Sequence, residues 1–253
     1  MRTESRAGGD PRGAEAGSET GAPSHSRQWG PVSDRNVRRL NVLVAAVGVV
    51  ILLPLMGLIA LAVKLTSAGP ILYTQERVGR DRRRGRRQES RHGPRDPNNV
   101  LRAHDAGGQL FTMYKFRTMA TASDGSASPE VWATPGDDRI TAVGSVLRAY
   151  RLDELPQLFN VLMGDMNVVG PRPEQPQIFQ DLRGKVDRYP ERQTVLPGIT
   201  GWAQINQHYD QSLDDVRTKV EFDLEYIRRR SPAEDLRIMA RTLPVMVGRQ
   251  GSL

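Results

Sequence analysis

From Val42 to Val63 the chain runs 22 positions without a charged side chain. At ~1.5 Å rise per residue, a helix of that length reaches roughly 33 Å, about the thickness of a bilayer's hydrocarbon core. A cleaved signal peptide fits badly, because the segment before it is long and the apolar run exceeds the usual core of such peptides. Pro54 stands in the middle, where it removes a backbone hydrogen bond and crowds the preceding turn, so a kink is expected. Positive charge flanks both ends: Arg35, Arg38 and Arg39 before, then Lys64, Arg77 and an arginine run after. Cationic flanks favour the cytoplasmic side. A helix broken at Pro54 that returns to its own side satisfies both flanks, so a re-entrant hairpin is favoured over a straight span.

The net charge of +7 is concentrated in one place. Arg80 to Arg95 holds eight arginines against Asp81 and Glu89, which leaves the rest of the chain nearly neutral. Beside a membrane segment, such a run fits contact with anionic headgroups; solvated disorder fits it as well, and a membrane-anchored nucleic-acid binder is the rival reading. That rival leaves the acidic residues described below unexplained. The chain has no cysteine, which excludes disulfides, thiol nucleophiles and thiolate metal sites. Its histidines (His25, His92, His104, His208) are scattered without metal-ligand spacing, so a zinc enzyme is not expected.

Residues 1–37 are rich in Gly, Ser, Ala, Glu and Arg without apolar periodicity and read as a disordered tail. The membrane segment is 38–66, and a polar domain occupies 67–250 with a basic insertion at 80–109. Ile71–Gln75 and Leu110–Met119 read as strands, the second with Met113, Lys115 and Arg117 on one face. Ser123–Asp138 reads as a loop. Leu155, Leu158, Phe159 and Leu162 form a helical stripe, with Asp153 as its natural N-cap and Glu154 in the first turn. Pro197–Asn206 reads as a turn and a short strand, with Trp202 packed inward. Ser212 caps a helix through Ile227, and Ser231-Pro232 starts the last one. The expected fold is α+β and mostly helical: a proline-broken membrane helix, a cytosolic catalytic domain with few short strands, and amphipathic interfacial helices.

Asp153 and Glu154 are the most informative pair. An ionised aspartate can attack phosphorus to form an aspartyl phosphate, and a neighbouring glutamate can hold Mg²⁺. Taken alone, the pair also fits simple helix capping. In Gly170-Pro-Arg-Pro173 two prolines fix the backbone around Arg172, whose planar fork suits phosphate; an arginine in a stiff surface turn fits equally. Lys115 and Arg117 could form an anion-binding ledge, or could be exposed edge-strand charges.

The order and spacing of six segments resemble the bacterial sugar transferases, the monotopic polyprenyl-phosphate glycosyl-1-phosphate transferases. These segments are Leu65–Gly79, Met113–Met119, Asp138–Gly144, Leu152–Leu162, Gly164–Glu174 and Leu196–Asn206, and the likeness covers about residues 38–247. The resemblance implies a catalytic dyad of Asp153 as nucleophile and Glu154 at a Mg²⁺ site. It implies that Arg148, Arg172, Lys115, Arg117 and Arg77 bind substrate. The implied reaction moves a sugar-1-phosphate from a UDP-sugar to polyprenyl (undecaprenyl) phosphate, releases UMP, and initiates a polysaccharide or glycoconjugate. Implied surroundings are membrane lipids, the bacterial inner membrane and its cytoplasmic face; no nucleic-acid partner is expected, and a homodimer is left open. A catalytically silent scaffold for polysaccharide assembly is the second rival. Four departures stand out: Leu53 before Pro54, Arg151 before the dyad, the long basic insertion, and the tail in place of a multi-span extension.

Overall fold

The structure is a computed structural model, and it describes residues 34–81, 107–120, 137–207 and 212–247. Residues 1–33 of the predicted tail, most of the basic insertion, most of the 123–138 loop and all four histidines lie outside the described residues; the tail's last four positions, 34–37, are helical.

Helix α1 (Asp34–Thr66) contains Pro54 and continues on both sides of it. Its buried residues, Val37, Asn41, Ala45, Met56, Ile59 and Val63, recur at spacings of three, four and eleven, which keeps them on one stripe. That stripe packs on the polar domain along its length. Ala45 joins Phe111, Met113, Leu158, Val161 and Met166, whereas Met56, Ile59 and Val63 join Phe116 and Leu147. The opposite face presents exposed apolar side chains, among them Leu43, Val50, Ile51, Leu58 and Leu65. By length and composition α1 could cross a membrane.

Strands β1 (Leu72–Val78) and β2 (Leu110–Phe116) pair antiparallel, with Leu72 opposite Phe116 and Val78 opposite Leu110. The predicted second strand ran to Met119; the pairing ends at Phe116, after which Met119 bridges only Ile140. Helix α2 (Ala142–Ala149) starts at Thr141, whose hydroxyl accepts from the Gly144 N–H. A 3-10 turn at Leu152–Glu154 leads into α3 (Gln157–Met163), which ends at Gly164 in the left-handed region, φ 101°.

A second pair of short strands follows, and only the first of them escaped sequence reading. β3 (Asn167–Val169) and β4 (Gly198–Thr200) pair in parallel. Between them run α4 (Pro176–Lys185) and a 3-10 segment, Tyr189–Thr194. The predicted strand through Asn206 stops at Thr200, and α5 (Trp202–Asn206) follows. Trp202 is buried as expected, its ring beneath the guanidinium groups of Arg229 and Arg241. Helix α6 (Leu213–Arg229) opens with a capping box between Ser212 and Asp215, and α7 (Pro232–Val247) opens after Ser231. The fold is mostly helical with few strands, in line with the sequence.

Buried polar contacts tie α1 to this domain near both ends. Asn41 donates to Asp235 at 2.6 Å and accepts from the Val168 and Val169 N–H groups. Arg38 donates to the carbonyls of Val161 and Met166. Beyond the other end, Arg117 donates to the Ser67 carbonyl and hydroxyl at 2.8 and 2.7 Å.

Candidate active site

Asp153 and Glu154 do not sit at the start of the helix that follows them. Pro156 lacks an N–H and its ring crowds the carbonyl four residues back, so the dyad cannot be drawn into α3. The chain forms a 3-10 turn instead, with Glu154 N–H on the Arg151 carbonyl and Leu155 N–H on that of Leu152. The expected N-cap role of Asp153 is therefore corrected: α3 begins at Gln157, and its cap position, Pro156, makes no side-chain cap bond. Arg151, just before the turn, takes a left-handed conformation at φ 54°, a strained choice for a residue with a Cβ.

Cations hold the charge of Glu154. Lys115 Nζ and Arg172 Nη2 both donate to Glu154 Oε1, at 2.8 and 2.9 Å. Lys115 is placed by Asn160 on α3, whose amide donates to the Thr112 carbonyl and accepts from the Tyr114 N–H, pinning β2 beside the dyad turn. Arg172 is placed by the close approach of Gly170 to the β4 backbone. A Cβ on Gly170 would come within 2.5 Å of the Leu196 carbonyl oxygen.

The two carboxyl groups are pushed in opposite directions. Burial alone would raise Glu154, but Arg172 and Lys115 together outweigh it and hold this carboxyl well below the ordinary range. Asp153 is raised, mainly by burial; Lys115 opposes this from 3.9 Å, while the Glu154 charge adds to it. Glu154 thus stays a fixed anion while Asp153 becomes the more basic of the pair, the division of labour expected of an acid pair built for two roles. The arginine that precedes the dyad, Arg148, donates to the Thr118 hydroxyl at 3.0 Å and lies near enough to lower Asp153 through its charge.

The structure thus brings Asp153, Glu154, Lys115, Arg172 and Arg148 together. It takes the other two predicted residues elsewhere. Arg117 is buried against Ser67 at the end of α1, so it forms neither a ledge with Lys115 nor an exposed edge-strand charge. Arg77 donates to the Pro173 carbonyl and to Gln75, bracing the backbone of the Pro-Arg-Pro segment.

Sequence reading missed a second ionic cluster behind that segment. Arg192, with its side chain 1% exposed, binds Asp223 at 2.7 Å and Glu174 at 3.4 Å, and donates to the Arg172 carbonyl. Lys219 completes it with a 2.9 Å bond to Glu174. Burial pushes Glu174 up, but Lys219 and Arg192 together hold it down at about 2. Of the four, only Glu174 had a local signal, as the last residue of the Gly164–Glu174 segment.

Could the dyad hold a divalent cation? Among the described residues no group of three or more histidine, cysteine or acidic side chains converges on one point. Mg²⁺ commonly takes one or two carboxylates and completes its shell with water and substrate phosphate. Two adjacent carboxylates on one turn fit a cation shared with a diphosphate, not one caged by protein alone.

The chain is similar to known proteins over most of its length. A family model described as bacterial sugar transferase matches residues 33–87 and 100–249. The chain is 37% identical over 206 residues to a UDP-N-acetylgalactosamine-undecaprenyl-phosphate N-acetylgalactosaminephosphotransferase of Aeromonas hydrophila, covering 81% of this chain and 42% of the relative. It is 36% identical over 217 residues to a UDP-glucose:undecaprenyl-phosphate glucose-1-phosphate transferase of Caulobacter vibrioides, covering 85% and 70%. An exopolysaccharide production protein, ExoY, of Sinorhizobium fredii is 32% identical over 235 residues, covering 88% and 90%. The chain spans about two fifths of the length of that first relative and of several others.

Proposed function

The chain belongs to the bacterial sugar transferase family, and on that premise we propose that it transfers a sugar-1-phosphate from a UDP-sugar to undecaprenyl phosphate. The observation that carries the reading is the dyad's asymmetry: one carboxylate locked by two cations, its neighbour close by and more basic. Asp153 attacks the phosphorus that bears the sugar, and the bond from that phosphorus to the UMP oxygen breaks. The lipid phosphate oxygen then attacks the same phosphorus, the bond to Asp153 breaks, and a lipid diphosphate sugar leaves. Each half-reaction keeps its electron pairs: one P–O bond forms as another breaks.

Arg172 and Lys115 supply positive charge where phosphate oxygens gather, and Glu154 sets the orientation of both. Burial raises the basicity of Asp153, which strengthens it as a nucleophile once ionised. A Mg²⁺ bound through Glu154 and the substrate's diphosphate would neutralise the charge on the departing UMP. Arg77 acts on the Pro-Arg-Pro backbone in this reading, and Arg117 fixes the end of α1.

The same proposal places α1 in the inner membrane as a re-entrant segment, with the polar domain on the cytoplasmic face. Two observations support it. Polar contacts hold α1 to one domain at Arg38 and Asn41 and again just past its end, at Ser67, and a straight span would carry one end away from that domain. Its free face is apolar, and α2, the Tyr150 that caps it, and α3 add exposed Val146, Tyr150, Phe159, Leu162 and Met163, suited to lying at the interface.

The reaction is tested by UMP release from detergent-purified protein with Mg²⁺, a panel of UDP-sugars, and undecaprenyl phosphate present or absent. Lipid-dependent turnover is expected with at least one donor; no release from any donor would favour the silent scaffold. Topology is tested with single cysteines at residues 20 and 120, read cleanly because the chain has none of its own. Labelling from the same side is expected, and labelling from opposite sides would mean a true span.

A further inference from the structure

Arg172 and Glu154 meet at 2.9 Å, yet they come from separate stretches of chain. Glu154 belongs to the turn that precedes α3, whereas Arg172 closely follows β3. Helix α1 touches both supports. Ala45 packs with Leu158 and Val161 of α3. One turn earlier, Asn41 is hydrogen-bonded to β3 and to α7.

Asn41 is wholly buried, and its amide is used to capacity. Its oxygen accepts from the Val168 and Val169 N–H groups at 2.8 and 3.1 Å. Its nitrogen donates to the Val37 carbonyl at 2.8 Å and to Asp235 Oδ2 at 2.6 Å. The other Asp235 oxygen accepts from the Tyr226 O–H at 2.8 Å, and that hydroxyl lies 3.2 Å from the Val169 carbonyl oxygen. Arg230 is near enough to favour the Asp235 charge, and Glu234 near enough to oppose it. Apolar side chains alone would suffice to pack a helix. A buried amide satisfied from α1, β3 and α7 at once fixes a register as well, because any shift leaves its donors and acceptors unpaired.

Little slack separates Val169 from Arg172. The Gly170 N–H donates to the Thr200 carbonyl and the Gly198 N–H to the Pro171 carbonyl, both at 2.9 Å. Pro171 and Pro173 hold φ on either side of Arg172. A displacement of β3 therefore passes along a stiff backbone to the Arg172 guanidinium.

We propose that Asn41 and Asp235 are positioning residues for the transfer reaction: acting through β3, they hold Arg172 on Glu154, so that this arginine is in place only while the start of α1 is seated. The inference rests on the transferase reading proposed above.

The test compares the detergent-purified full chain as wild type, Asn41→Leu, Arg172→Ala and the double variant. In UMP release, Asn41→Leu is expected to lower kcat/KM by on the order of tenfold, the scale of a misplaced binding group. In the Arg172→Ala background the same change should cost less than about twofold, because the group it positions is already gone. The proteins are also treated with phenylglyoxal, and modified arginines are located by peptide mass spectrometry, a readout that needs no turnover. Arg172 is expected to react severalfold faster in Asn41→Leu, while Arg192, with its side chain 1% exposed, keeps its wild-type rate. Equal losses in both backgrounds, or an unchanged Arg172 rate, overturns the proposal. If Arg192 also becomes reactive, Asn41→Leu has lost its fold and a milder pair decides. Asn41→Asp sets two carboxylates against each other and should lower kcat/KM and speed Arg172 modification. Adding Asp235→Asn reverses donor and acceptor across the same contact and should restore both; failure to restore them overturns the proposal. Absence of UMP from wild type with every donor refutes the transferase reading instead, and the Arg172 modification rates then decide by themselves whether Asn41 holds that arginine.

Discussion

Two ionic clusters stand on either side of the Pro171–Pro173 segment, built from the same chemistry and put to different uses. Behind it, Arg192, Lys219, Glu174 and Asp223 are sealed, two cations for two carboxylates, and Asp223 has its arginine at 2.7 Å. In front, Lys115 and Arg172 also face two carboxylates, but both donate to Glu154, and Lys115 approaches Asp153 only to 3.9 Å. Arg172 is still 34% exposed. Burial pushes the aspartate of each cluster upward. The difference is direct pairing: a carboxylate with its own arginine stabilises structure, and one whose cations are committed to its neighbour is left available to react.

The comparison breaks most sharply at the aspartates. Asp153→Asn should reduce UMP release by roughly a thousandfold or more while leaving the thermal melt unchanged. Asp223→Ala should do the reverse. Removing one partner from a buried pair typically costs about 3–5 kcal/mol of stability, read by denaturant unfolding, because Arg192 would remain buried and unpaired. If Asp223→Ala melts like wild type, the rear cluster is not structural. Arg172→Ala should lower kcat/KM by on the order of a hundredfold with little loss of stability, since its guanidinium is partly solvated; near-wild-type rates would remove it from the phosphate site.

The smallest effect is on pH. In the proposed reaction Asp153 attacks as the carboxylate, and its carboxyl is raised, so kcat/KM should fall on the acid side at a pH above the ordinary aspartate range. Glu174 is depressed to about 2. Its contribution to stability is complete above its unfolded value of about 4.5 and is lost only as pH falls toward 2. Activity should therefore disappear while the Glu174 contribution persists, and a pH–rate profile beside a pH–melt series shows whether the two transitions separate.

What the sequence disclosed follows the range of the contacts. The apolar run of α1, the Ser212 cap and the Ser231-Pro232 start are local signals, and each appears where expected. The dyad is legible because its residues are adjacent, but adjacency gives no sign that Pro156 keeps both out of the helix that follows. Arg117 looked like a partner of Lys115 by strand alternation. It binds Ser67, 50 positions away, after the strand has ended. A strand of three residues such as β3 carries too few positions for a period, and its pairing with β4 joins segments about 30 residues apart. The rear cluster draws on positions 174, 192, 219 and 223, and no spacing rule links them.

The most direct test is a single-turnover reaction of purified protein with a UDP-sugar donor and Mg²⁺ in the absence of lipid acceptor, followed by intact and peptide mass spectrometry. The account predicts a burst of UMP close to one per active site and a phosphosugar mass on the peptide containing Asp153, discharged when undecaprenyl phosphate is added. UMP formed only when lipid is present, with no adduct on that peptide at any time, would contradict the covalent role of Asp153.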